Sequence, residues 1–144
     1  MTAAVAADVR DEATVSAAIA EAGERLGGLD VLVNNAGHTL FKSIDDQTLE
    51  EWDTVMDVSV RGSLLCIRAV LPMLKDSGRA SILFTSGVNA VRALDKYSAA
   101  SASRGALHSL TIELACELAA GRRERNGVPG LAEGRLHHRR GAAR

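Results

Sequence analysis

Short apolar runs alternate along the chain with longer stretches of helical periodicity, and each run ends in a polar cluster. Residues 3–9 (Ala-Ala-Val-Ala-Ala-Asp-Val) end on an acid, residues 30–34 (Asp-Val-Leu-Val-Asn) run into Asn35-Ala36-Gly37, and residues 80–85 (Ala-Ser-Ile-Leu-Phe-Thr) run into Ser86-Gly87. Between them, Val15, Ala18, Ile19, Ala22 and Leu26 recur at helical spacing until Gly27-Gly28 stops the helix. Thr48 and Glu51 form the Thr-x-x-Glu pattern of a capping box, opening a long helix over residues 49–74. A last helix spans Ser98 to Ala120 and ends at Gly121. The order β-α-β-α-β-α, with strands apolar throughout, predicts an α/β chain with a doubly wound parallel sheet covered on both faces. Ligands of such sheets bind beyond the carboxyl ends of the strands, where all three polar clusters fall.

The composition agrees. Hydrophobic residues make up 47% and aromatic residues only 3% of the 144 residues, so the core must be built from Ala, Val, Leu and Ile. No apolar run approaches the roughly 20 residues that span a bilayer, and Asp8 and Arg10 interrupt the first apolar stretch too early for a secretory signal. Cys66 and Cys116 stand far apart in helical runs and read as structural thiols of a reducing, cytoplasmic compartment. His137-His138 has no partner ligands, so no metal site is expected. Residues 1–121 carry 10 Lys and Arg against 16 Asp and Glu, a net of −6, and residues 122–144 carry 7 against 2, a net of +5. The division expected is a folded part at 1–121 and a basic, disordered tail at 122–144. The tail could hold phosphates non-specifically, but nucleic acid is not an expected partner, nor is a membrane.

Asp8-Val9, the stretch from Gly28 to Gly37 with Asn34-Asn35-Ala36-Gly37 closing its strand, and the strand end at Ser86 occur in an order that resembles the short-chain dehydrogenase/reductase family. The resemblance runs from about Val5 to Leu118. It implies a Rossmann-like fold, NAD or NADP as cofactor, and hydride transfer to or from a small carbonyl or alcohol substrate. By the same resemblance, Asp8 and Val9 contact the adenine. Asn35, Ala36 and Gly37 form the turn beneath the cofactor, Gly37 permitting close backbone approach, and Asn35 ties neighbouring strands. Ser86 polarises the substrate oxygen. The two long helices imply a homo-oligomer.

The family's proton donor is a Tyr followed four residues later by a Lys that lowers its pKa from the ordinary value of about 10. Tyr97 is the sole Tyr, but Ser101 stands four residues on. Aligning the downstream helix instead puts Ala100 at the Tyr position and Arg104 at the Lys position. Seven residues of helix separate Tyr97 from Arg104 by about 10.5 Å, too far for direct tuning, and Arg stays charged and cannot relay a proton. Ser59, three residues before Gly62, stands where the family has Asn. No G-x-G-x-x-G occurs in the sequence, so the first Gly-rich β-α unit and the last strand are expected to be lacking. This predicts a fragment with weak or absent nucleotide binding, its exposed sheet edges and helix faces prone to aggregation, its tail the product of a shifted reading frame. Two functions stay open: an impaired oxidoreductase with Ser86, Tyr97, Arg104 and Ser59 at its centre, or an inactive chain that at most oligomerises with a relative. Each residue also reads structurally: Asp8 as a helix cap, Asn35 as turn chemistry, Ser86 as a locally satisfied hydroxyl, Tyr97 as a loop aromatic, Arg104 as a helical surface charge.

Overall fold

The structure, a computed structural model, describes residues 1–125. Its elements are α1 (Glu12–Leu26), β1 (Val31–Asn34), α2 (Leu49–Met56), a π-helical turn (Asp57–Arg61), α3 (Gly62–Asp76), β2 (Ser81–Phe84), a 3-10 turn (Val88–Ala90) and α4 (Ser98–Arg125). The chain divides into two compact units, Met1–Thr111 and a second that starts at Ile112.

Local chemistry explains the boundaries. The Asp11 side chain caps α1 by accepting from the Thr14 N–H at 2.8 Å, and Gly27 ends it in the left-handed region at φ 75°, which only Gly adopts without strain. Thr48 and Glu51 form the expected capping box, the Glu51 N–H donating to Thr48 Oγ1 at 3.2 Å and the Thr48 N–H to Glu51 Oε2 at 2.9 Å. α1 packs on α3, and α3 on β1. Gly23 lets α1 and α3 approach: a Cβ there would stand 2.6 Å from Met73 Sδ. The largest buried apolar residues are aliphatic, among them Val15, Val55, Ile67, Val70 and Leu107, as the scarcity of aromatics requires.

β1 and β2 pair in parallel, with Val31 opposite Ser81 and Asn34 opposite Phe84. Side chains alternate between faces. Leu32, Asn34, Ile82 and Phe84 point to the more buried side, whereas Val31, Val33 and Leu83 are 51%, 57% and 48% exposed. The α/β, partial Rossmann-like class is as expected, with three differences in detail. Residues 3–9 form no strand: an apolar composition permits one, but no ladder partner lies beside them among the described residues. Their carboxyl end is tied to α1 instead, the Asp8 carbonyl accepting from the Asp11 N–H at 3.0 Å and from Thr14 Oγ1 at 3.1 Å. The long helix from Leu49 is interrupted by the π turn. α4 passes Gly121, a residue that disfavours but does not forbid helix, and reaches Arg125. Most of the expected tail, residues 126–144, lies outside the described residues. Among the described residues no helix is long and apolar enough to cross a membrane, and no three His, Cys, Asp or Glu side chains cluster as a metal would need.

Candidate active site

The carboxyl ends of the two strands carry Asn35-Ala36-Gly37 and Thr85-Ser86-Gly87, all six exposed. The ladder runs through the Ser81 N–H to the Asp30 carbonyl and closes at the Thr85 N–H to the Asn34 carbonyl, each 2.9 Å. The alternation of a parallel ladder would next give the Thr85 carbonyl to the Ala36 N–H. Arg104 takes that carbonyl instead, its Nη1 donating to it at 2.7 Å. The guanidinium lies across the neighbouring turn, so that a methyl group on residue 37 would stand 2.9 Å from Arg104 Nη2. The Arg104 carbonyl accepts a long bond, 3.5 Å, from Ser86 Oγ. One residue of α4 thus gathers both strand ends, and Ser86, Arg104 and Gly37 come together as a cluster. Asn89, in the turn after Ser86, donates through Nδ2 to Ser101 Oγ at 3.4 Å.

Ser59 lies in the π turn, fully buried. Its hydroxyl accepts from the His38 N–H at 3.1 Å, which pins the first residue after the Gly37 turn to the long helix. Asn35 is exposed and makes no side-chain hydrogen bond among the described residues. Strand parity is the reason, since Asn34 takes the inward position. Asn34 is 6% exposed, and its Nδ2 has no partner among the described residues.

Tyr97 sits apart from this cluster. It immediately precedes α4, its carbonyl accepting from the Ser101 N–H at 2.7 Å, and its ring meets Phe41 at a centroid distance of 5.3 Å and an angle of 59°. Lys96 Nζ lies 5.7 Å from the Phe41 centroid, and the Lys42 N–H donates to the Lys96 carbonyl at 2.9 Å. These contacts join the loop after β1 to the loop after β2. Ala100, at the alternative Tyr position, is 1% exposed, leaving no opening for a phenol.

Asp8 is gripped by Arg10, which donates from Nη2 at 2.7 Å, from Nε at 3.0 and 3.2 Å, and from its backbone N–H at 2.9 Å. These bonds hold the Asp8 carboxyl down at about 2. Arg61 of the π turn donates to the Arg10 carbonyl at 3.0 Å, and Val9 rests on Gly62, where a Cβ would meet Val9 Cβ at 3.0 Å and its carbonyl at 3.1 Å. Sequence reasoning missed Arg10, Asn34 and Phe41. The Asp-x-Arg spacing is a local signal that could have found the first.

A family model described as enoyl-(acyl carrier protein) reductase matches residues 1–130. The chain belongs to the short-chain dehydrogenase/reductase family. It is 37% identical over 127 residues to 3-alpha-(or 20-beta)-hydroxysteroid dehydrogenase of Mycobacterium tuberculosis, covering 88% of this chain and 49% of that protein. To 2-(R)-hydroxypropyl-CoM dehydrogenase of Xanthobacter autotrophicus it is 41% identical over 133 residues, covering 90% and 53%. Among solved structures, ligand-free aldohexose dehydrogenase of Thermoplasma acidophilum superposes with a TM-score of 0.76 at 29% identity, over 78% of this chain and 44% of that one. A short-chain dehydrogenase of Burkholderia cenocepacia in complex with NADP does so at 0.73 and 36% identity, over 78% and 46%. This short-chain dehydrogenase/reductase spans about half the length of the curated relatives it matches.

Proposed function

We propose that the chain is an oxidoreductase that transfers a hydride between NAD or NADP and a small carbonyl or alcohol, with turnover impaired in these 144 residues. The observation that carries this reading is the cluster at the strand ends, where Ser86, Arg104 and the Gly37 turn meet. The residues present fit a dinucleotide in kind: Asp8 offers an exposed carboxylate to an amine, and the exposed turn 35–37 offers backbone N–H donors. The nicotinamide, when bound, supplies or accepts the hydride at the substrate carbon. Ser86 Oγ donates to the substrate oxygen and orients it. Tyr97 Oη, as the sole phenol, gives the proton to that oxygen in reduction and takes it back in oxidation. Arg104 and Ser59 position the two strand-end turns and touch no proton in transit.

Impairment follows from two features. Residue 104 holds its charge throughout and cannot relay a proton, and Tyr97 is packed on Phe41 rather than beside Ser86. The same features favour the second reading, an inactive chain that assembles with copies of itself or a relative. Leu64 on α3 and Ile112 on α4, 43% and 56% exposed, support self-association. Titration with NADH and NADPH, read by nucleotide fluorescence, followed by a carbonyl panel, separates the two. Weak saturable binding with slow turnover is the expected result; no saturable binding of either nucleotide removes the enzyme reading.

A further inference from the structure

We propose that Arg104 makes the strand ends an oxyanion site, which seats a carboxylate or phosphate group against its guanidinium and the Asn35–Gly37 turn. The inference deepens the functional reading above and rests on it for the location of the reacting site. Three observations carry it. First, the guanidinium has five N–H donors, and among the described residues its one hydrogen bond is to the Thr85 carbonyl, from Nη1 at 2.7 Å. Second, no carboxylate neutralises it: the ion pairs among the described residues use Arg10, Arg25, Lys42, Arg68 and Arg79. Third, by taking the Thr85 carbonyl it leaves the Ala36 N–H without its ladder acceptor, and the Asn35, Ala36 and Gly37 N–H groups meet no protein acceptor among the described residues.

Arg104 is therefore a cation anchored at one nitrogen and lying against Gly37, beside exposed backbone donors. Two oxygens of a carboxylate or a phosphate satisfy such a fork with two parallel charge-assisted bonds, whereas a neutral alcohol cannot. Anchoring matters, because a free surface Arg loses side-chain entropy on binding, and the Thr85 bond has already met part of that cost. Two sources of the same chemistry fit: a carboxylate borne by the substrate, or a phosphate of the nucleotide.

The test follows the Nε–H resonance of Arg104 and the amides of Ala36 and Gly37 in the full chain by NMR. Separate titrations use propionate, inorganic phosphate and, as a neutral control, 1-propanol. Saturable shifts with propionate, absent with propanol and lost in Arg104→Gln, support a substrate carboxylate. Shifts with phosphate alone support a nucleotide phosphate as the source. Arg104→Lys keeps the charge and loses the fork, so binding weakens by roughly tenfold; this variant decides the matter if Arg104→Gln does not fold. The proposal is overturned if neither anion shifts these resonances, or if Arg104→Lys binds as tightly as the wild type. NADH binding is read separately by fluorescence. Anion binding without NADH binding sinks the oxidoreductase reading alone, and the reverse sinks the oxyanion site alone.

Discussion

Arg104 Nη1 donates to the Thr85 carbonyl at 2.7 Å, at the rung where the β1–β2 ladder would otherwise continue. The guanidinium is held there over Gly37, where even a methyl group would come within 2.9 Å of Nη2. Gly37→Ala therefore displaces the guanidinium and loosens the Thr85 bond, while in an Arg104→Ala background the three atoms nearest the new methyl, all of the Arg104 guanidinium, are gone. A double-mutant cycle by urea denaturation should return a coupling of about 0.5–1.5 kcal/mol. Additive effects would show that Gly37 is small for some other reason.

Ser59 holds the turn after Gly37 from inside the long helix. Ser59→Ala leaves the His38 N–H without its 3.1 Å acceptor and should cost about 1–2 kcal/mol. Hydrogen exchange at the His38 amide should speed up while helical circular dichroism stays unchanged. Unaltered exchange would mean that the turn is fixed elsewhere.

Tyr97→Phe separates packing from chemistry. The ring contact with Phe41 at 5.3 Å survives, so stability should change by less than about 0.5 kcal/mol. Reduction of any carbonyl that the wild type turns over should fall to background. Retained turnover would exclude Tyr97 Oη as the proton donor.

Glu51 links the α2 cap to the loop after β1. The Thr48 backbone N–H, and after it the Lys42 ammonium at 2.9 Å, hold its carboxyl below the ordinary value of 4.5. A carboxyl depressed on folding stabilises the fold above its unfolded pKa, and that contribution is lost as pH falls through the folded value. Melting temperature should drop below pH 4.5 more steeply in the wild type than in Glu51→Gln. Thr48→Ala, which removes the reciprocal half of the box, should cost about 1 kcal/mol at neutral pH.

What the sequence disclosed was what neighbouring residues decide. The stop at Gly27 and the Thr48–Glu51 box rest on contacts within a few positions, β1 and β2 show as short apolar runs closed by polar clusters, and the structure holds each. Residues 3–9 looked equally strand-like, but a strand needs a ladder partner, which no local pattern specifies. That Asn34 and not Asn35 faces inward turned on one residue of parity, which is settled only by which face of the sheet is covered. The reach of Arg104 to Thr85 crosses 19 positions. Spacing along the helix made Arg104 a surface charge; the ladder end made it a partner of both strand ends.

The π turn at Asp57–Arg61 carries one consequence for how this helix tolerates change. A single extra residue in the coil advances everything after it by about 100° about the axis. That phase lets Ser59 face inward at His38 while Ser63, Ile67, Val70 and Leu74 still line the buried side of α3. Removing any one residue between 57 and 61 would restore an unbroken α-helix of ordinary composition, yet swing that apolar stripe off its neighbours. Here the count of residues is held more tightly than their identity.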